Sequence, residues 1–292
     1  MTGRRRTKAH AVDVTTSKSA TLTSHAPHAR TTMSFVDDFV AQIISLEVSL
    51  YHSRARLVAS SDSEALHDLR IAVRKIRSLL RPLRNLPGVV ALSQAAAEVG
   101  RTTTPTRDLE VIIHELQKMG YPRQATSRTA ILKENHQKIA SSSALDKLFE
   151  ELDRWTDLFR AAERAGDLAD IKRQIQKALK KRINQLVAGL RNKDFDRHEL
   201  RIIVKNTRYL TDAFPTLSPL RAKSKAQLKS VQSSLGSWHD HHQWCLRAET
   251  ETDLLNIAPL WEIASEKALA DAELKLASLL DHLEKDLAKS KD

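Results

Sequence analysis

HDLRIAVRKIR, residues 67–77, and HELRIIVKNTR, residues 198–208, decide how this chain is to be folded. On an α-helix successive side chains turn by about 100°. His67, Arg70, Arg74, Arg77 and the following Arg81 then share roughly 80° of arc, while Leu69, Val73, Ile76, Leu80 and Leu83 gather on the opposite side. The second stretch repeats the design, with His198, Arg201, Lys205 and Arg208 on one face and Leu200, Ile203, Val204 and Leu210 behind them. Each is therefore a packed helix with an ordered basic stripe. Pro82 sits where it tightens or kinks the last turn, so Arg81 is the least secure member of its row.

Outward from these stretches the apolar residues keep a three- and four-residue spacing, and no run alternates long enough to argue for strands. The chain reads as all-α. Helices are expected over Ser34–Ala59, Ser63–Leu83, Val89–Gly100, Thr106–Met119, Ser127–Ile139 and Ala144–Ala162. A second series follows over Leu168–Leu190, Asp194–Phe214, Ala222–Gly236, Trp238–Leu255 and Pro259–Leu287. The four stripe positions of the first stretch recur 131 positions later, and Arg107-Asp108 recurs as His239-Asp240 after 132. Two unlike markers at nearly one displacement argue for an internal duplication. The reading is two similar antiparallel helical bundles, 33–165 and 166–292, related by a pseudo-two-fold and joined near Gly166, after a basic Ser/Thr-rich arm over 1–32.

Composition narrows the function. Forty-seven Lys and Arg against 36 Asp and Glu give a net charge of +11, which favours acidic partners. Cys245 is the single cysteine, so neither a disulfide framework nor a cysteine-rich zinc site is expected, and a reducing cytoplasm suits the chain. No apolar run reaches the roughly 20 residues that span a bilayer, and the opening MTGRRRTKAH has no signal-type apolar stretch behind it. The arm's composition leaves organellar targeting as an alternative to the cytoplasm.

A solvated helix usually relieves a row of cations with acids four residues away. Here Asp68 and Glu199 lie off the stripes, so a ligand is expected to supply the missing charge. Arginine suits phosphate because its guanidinium offers two parallel hydrogen bonds, whereas Lys205 acts as a point charge. His67 and His198 can donate to phosphate when protonated, and Asp212 breaks the second row where the first has Arg81. Arg107 and His239 join the anion-facing set, as do Arg173 and Lys177, with Lys133, His136, Lys138, Lys180, Lys181, Lys225 and Lys229 as weaker additions. Asp108 and Asp240 are read as orienting nearby Arg or His, or as helix caps.

Rival chemistry finds less support. His241 and His242 in WHDHH diverge by about 100° on a helix, so no metal site is expected there. The chain has no GxxxxGK[ST] or GxGxxG, and no nucleophile-base constellation, so neither a cofactor nor catalysis is expected. A polyphosphate-processing enzyme remains an alternative. Nucleic acid is the stronger rival, since any cationic row attracts phosphodiesters, but no aromatic series accompanies the basic face.

At HDLRIAVRKIRSLL, TRDLEV, HELRIIVKNTRYL and LGSWHD the chain resembles the conserved-histidine α-helical domain family, CHAD, over Met33–Asp292. That resemblance implies two helical bundles around a basic central cavity or cleft and a role in binding inorganic polyphosphate. It implies association with polyphosphate-metabolising or granule proteins and with polyphosphate-containing granules. Carried over by residue, the role falls on His67, Arg70, Arg74, Arg77, His198, Arg201, Lys205 and Arg208. Two departures stand out. Thr104 replaces the family's glycine before Arg107, so that turn is expected to be rebuilt with Thr104 as N-cap and Pro105 in the first turn, and Asn206 replaces a usual cation.

Overall fold

The structure is a computed structural model that describes residues 34–289; the basic arm read over 1–32 lies outside the described residues. Ten α-helices make up the described chain: α1 Phe35–Ala59, α2 Ala65–Leu80, α3 Val89–Thr102, α4 Thr104–Lys118, α5 Pro122–Ala140, α6 Ser143–Ala165, α7 Ile171–Arg191, α8 Arg197–Ala213, α9 Ala222–Ala248 and α10 Ala258–Lys289. Short 3-10 turns at Arg81–Leu83 and Thr252–Leu254 extend two of the connections, and no strand occurs among the described residues. The all-α reading holds.

Local chemistry sets several of the boundaries. Gly120 and Gly166 take positive φ values of 83° and 85°, the left-handed geometry that glycine adopts without steric cost, and they close α4 and α6. Ser142 caps α6 by accepting from the Leu145 amide, and Asp196 caps α8 by accepting from that of Glu199. Pro122 starts α5 earlier than expected because proline fits the first helical turn, where its missing N–H costs nothing.

Two expectations need correction. The break at Gly236 does not occur, since α9 runs unbroken from Ala222 to Ala248. A lone helical glycine costs about 1 kcal/mol, and the burial of neighbouring Leu235 and Trp238 outweighs it. Nor is Thr104 an N-cap. It is the first residue of α4, and its hydroxyl turns back to donate to the Gly100 carbonyl at 2.8 Å.

Three apolar clusters hold the helices together within the compact unit Phe35–Asp292. The first joins α1, α2, α3 and α6 to the start of α7 and to Leu210 and Phe214 at the end of α8. Its aromatic centre stacks Phe39 on Phe159 at 5.4 Å and on Phe214 at 6.3 Å, with Trp155 4.7 Å from Phe159. The second cluster joins the rest of α7 to α8, α9 and α10. The third joins α4 and α5 to the end of α9 and the start of α10, around Trp244 and Trp261. Packing thus crosses Gly166 in both directions. Pinning the end of α8 to α1 and α6 also brings α8 alongside α2, which packs against it.

Candidate functional site

The sequence predicts the faces of α2 and α8 well. Leu69, Val73, Ile76, Leu80 and Leu83 are all buried, as are Leu200, Val204 and Leu210, with Ile203 partly so. The basic stripes keep the other side, where Arg70, Arg74, Arg201, Lys205 and Arg208 are half-buried and Arg77 is exposed.

The two stripes meet electrostatically at Lys205. Burial pushes its ammonium pKa down, and the charges of Arg201, Arg77, Arg74 and Arg70 add to the effect. Cations from both repeats therefore act on one lysine. Among the described residues no carboxylate pairs with Lys205, Arg70, Arg74, Arg77 or Arg201 within 4.0 Å. Arg208 is the exception in its row, held by Asp212 at 3.3 Å.

Tyr209 organises this region, and sequence reasoning passed it over. The guanidinium of Arg74 lies 4.4 Å from its ring centre and that of Arg208 lies 5.9 Å away. Gln232 donates to the Tyr209 hydroxyl at 3.2 Å, fixing the ring from a third helix. One aromatic side chain thus steadies an arginine from each repeat.

Arg70 is partly committed inside the protein. Its Nη1 donates to the Gly100 carbonyl at 3.0 Å and to Thr103 Oγ1 at 2.6 Å, and its Nη2 donates to Thr104 Oγ1 at 3.2 Å. The rebuilt α3–α4 turn is therefore tied to the basic stripe through threonine hydroxyls. Gly100 adds a close approach, because a Cβ there would lie 3.1 Å from Arg77 Nη1. Three of the five N–H groups of Arg70 are used in these bonds, leaving two for a ligand.

Asp108 and Asp240 do not cap helices. Asp108 stands inside α4 and Asp240 deep inside α9, and neither makes a side-chain hydrogen bond among the described residues. Burial raises the pKa of both carboxyls, including Asp108 although part of it reaches solvent; the charge of Arg201 acts on both in opposition, and that of Arg70 opposes it at Asp108. The charge of Asp108 adds to the rise at Asp240.

Arg107 is engaged inside the protein. It donates to Glu110 Oε2 at 2.7 Å, while Glu110 Oε1 lies 2.8 Å from His136 Nε2. That places Arg107 and His136 on a buried carboxylate rather than leaving them open. His239, the matching position in the second repeat, is pushed down to a pKa of about 4 by burial, with Arg201, His198 and Lys205 adding repulsion. It is a neutral imidazole at neutral pH, and its buried Nδ1 has no hydrogen-bond partner among the described residues. His198 packs against Trp238, His239 and His242 with ring centres 4.5, 5.5 and 5.6 Å away, while His67 sits half-buried at the head of α2.

The remaining candidates lie apart or are engaged. Arg173 and Lys177 are exposed on α7, where Lys177, Lys180 and Lys181 border a shallow depression. Lys225 donates to the Pro215 carbonyl at 3.2 Å, Lys138 pairs with Glu134 at 2.6 Å, and Lys133 and Lys229 are exposed. Arg81 has its pKa lowered to about 10 by burial and by the charges of Arg182, Arg84 and Arg77. Among the described residues no cluster of His, Cys, Asp and Glu suits a metal ion, and no helix is long and apolar enough to cross a membrane.

The comparisons agree with this architecture. The CHAD domain family profile matches residues 44–249. The crystal structure of the CHAD domain from the plant Ricinus communis is 23% identical, with a TM-score of 0.62 over 86% of this chain and 92% of that chain, a likeness of fold. A search of curated proteins gives no match. With the family profile covering most of its length and the helical fold in accord, this chain belongs to the CHAD-domain family.

Proposed function

We propose that the chain binds linear inorganic polyphosphate, and that the repeats 33–165 and 166–292 each contribute one basic stripe to the site. The observation that carries this reading is Lys205, half-buried, under the charges of four arginines drawn from both repeats, and without a carboxylate partner among the described residues. Desolvated like charges are costly to hold together, and an anion offsets that cost. Polyphosphate presents only acceptor oxygens and negative charge, which matches stripes dominated by donors and positive charge.

The site residues in this reading are Arg74, Arg77, Arg201, Lys205 and Arg208, the free N–H groups of Arg70, and His67, His198 and neutral His239. Arg107 contributes charge from its place on Glu110, while Arg173 and Lys177 form an outlying part of the surface. The stripes carry charge and donors without a nucleophile-base pair, so the arrangement holds its ligand rather than converting it. Association with polyphosphate-containing granules, or with the enzymes that make or degrade the polymer, follows as the cellular role in the cytoplasm.

Single-stranded nucleic acid fits less well. Base recognition without sequence preference needs open aromatic faces. Tyr209 is already covered by Arg74, and Trp238 is buried against His198. The test is competition at matched phosphate concentration and physiological salt between long-chain polyphosphate and short DNA or RNA. Polyphosphate should displace both nucleic acids, with affinity falling as salt rises because condensed counterions are released on binding. Displacement of polyphosphate by DNA or RNA would reverse the assignment.

A further inference from the structure

The stripe of α2 does not end at the α2–α8 contact. Arg81 opens the 3-10 turn Arg81–Leu83, which packs against α7. Leu80 and Leu83 anchor the turn in the same apolar cluster as Ile175 and Leu179 of α7. That anchoring brings Arg81 and Arg84 near Arg182, a residue of α7 one turn beyond Leu179 and outside either basic stripe. Arg81 and Arg182 are half-buried and Arg84 is exposed. None of the three makes an ion pair or a side-chain hydrogen bond among the described residues.

Cations at the C-terminal end of a helix are favoured by its dipole, and an exposed lysine or arginine suffices for that. The dipole does not explain two partly desolvated guanidinia brought together without an acid. Burial lowers the pKa of Arg81 and Arg182 alike, and Arg84 acts on both. Unpaired arginines at a semi-buried junction are instead suited to phosphate oxygens. The second repeat has Asp212 where the first has Arg81, and Asp212 is spent on Arg208.

The geometry points to a second phosphate subsite, formed by Arg81, Arg84 and Arg182 where the 3-10 turn meets α7, which engages a distal part of a polyphosphate chain already held at Lys205 and so makes affinity depend on chain length. This inference rests on the polyphosphate reading given above. Seven residues of helical rise, about 10 Å, separate Arg74 beside Lys205 from Arg81, with Arg77 about 6 Å from Arg81 between them. A short oligomer such as tripolyphosphate, once centred on Lys205, has few phosphates left for Arg84 and Arg182, and a long chain supplies them. Linking the two contacts through one polymer raises affinity without any new contact in the centre.

The experiment compares the wild-type chain with an Arg84→Gln/Arg182→Gln variant, leaving the central stripes intact. A control variant, Lys223→Gln/Lys267→Gln, removes the same charge from exposed positions elsewhere. Kd values are measured for tripolyphosphate and for long-chain polyphosphate at physiological salt, and helicity and melting temperature are followed in parallel. The subsite predicts that the Arg84/Arg182 variant loses about tenfold in long-chain affinity and less than about twofold in tripolyphosphate affinity. The control should keep both. Unchanged long-chain affinity, or equal losses for the two ligands, would overturn the subsite while leaving the central reading in place. If the Gln variant melts early, Arg84→Lys/Arg182→Lys retains point charge without the bidentate fork and should still lose long-chain affinity selectively; retention of the wild-type length dependence overturns the subsite. A wild-type chain that binds neither polyphosphate in preference to DNA would remove the polyphosphate reading itself, and the subsite with it.

Discussion

An Arg74→Ala/Arg201→Ala/Lys205→Ala variant should bind long-chain polyphosphate about 10³-fold more weakly than the parent chain at physiological salt. Hydrogen bonds to charged groups are worth about 1.5–3 kcal/mol each, so losing three gives at least about 4 kcal/mol. None of the three side chains is ion-paired with a carboxylate within 4.0 Å among the described residues, and Asp240, which loses the opposing charge of Arg201, can take up a proton in its place. Arg74 does lose its place over Tyr209, a contact worth about 1 kcal/mol. Relief of repulsion around Lys205 opposes that loss. The free variant should therefore melt close to the parent, while the rise in melting temperature that polyphosphate gives the parent should disappear. Isothermal titration and thermal melting check the two halves together. Near-parental affinity in the folded variant would place the ligand elsewhere.

The second large effect is on stability. Arg128 has a side chain only 7% exposed, yet it links α5 to the connection between α9 and α10. It donates to Asp253 at 2.8 and 3.0 Å, to Glu251, and to the Gln124 carbonyl at 2.8 Å. Arg128→Ala should cost about 2 kcal/mol, less than for a fully buried pair because Glu251 and Asp253 reach solvent and Arg247 still holds Glu251. In a domain of this size that lowers the melting temperature by roughly 5 °C. Burial pushes the Glu251 carboxyl up, but the bonds from Arg128 and Arg247 outweigh it; the bond from Arg128 holds Asp253 down. Groups with depressed pKa values stabilise the fold only while ionised, so the parent's advantage should be full at neutral pH and fade as pH falls below about 4. Polyphosphate affinity of the folded variant should stay within about twofold. An unchanged melting temperature with reduced affinity would instead put Arg128 in the ligand site.

Much of this architecture was legible because helical packing is local and periodic. Leu69, Val73 and Ile76 announce the buried face of α2, and the same spacing leaves His67, Arg70, Arg74 and Arg77 on the other side. Gly166 likewise marks the end of α6 because positive φ favours glycine. Side-chain commitments were less legible because they depend on which helices meet. Arg70 reads as an open donor until α3 and α4 bring the Gly100 carbonyl, Thr103 and Thr104 to it. Arg107 reads the same way until Glu110 and His136 are found beside it. The i,i+3 spacing of Arg107 and Glu110 was a usable signal for the first contact. Tyr209 gave a weaker one, as an aromatic residue next to Arg208 in the stripe. Nothing in the run KKRIN singled out Arg182 from its lysine neighbours, since its relation to Arg81 depends on how the 3-10 turn docks on α7.

If cations of both repeats hold a polyphosphate chain at Lys205, the protonation of that lysine must respond to the polymer. The side-chain ammonium of Lys205 can be followed by NMR as pH is raised, with and without saturating long-chain polyphosphate, using Lys205→Arg to assign its signal. The free chain should show a pKa below the ordinary lysine value, because burial and four arginines disfavour the charged form. Bound polyphosphate should raise it, since an anion favours the charged form, and by linkage affinity should weaken as pH rises through the free-state value. A Lys205 titration that polyphosphate leaves unmoved while the polymer is bound would place the ligand away from Lys205 and the two stripes.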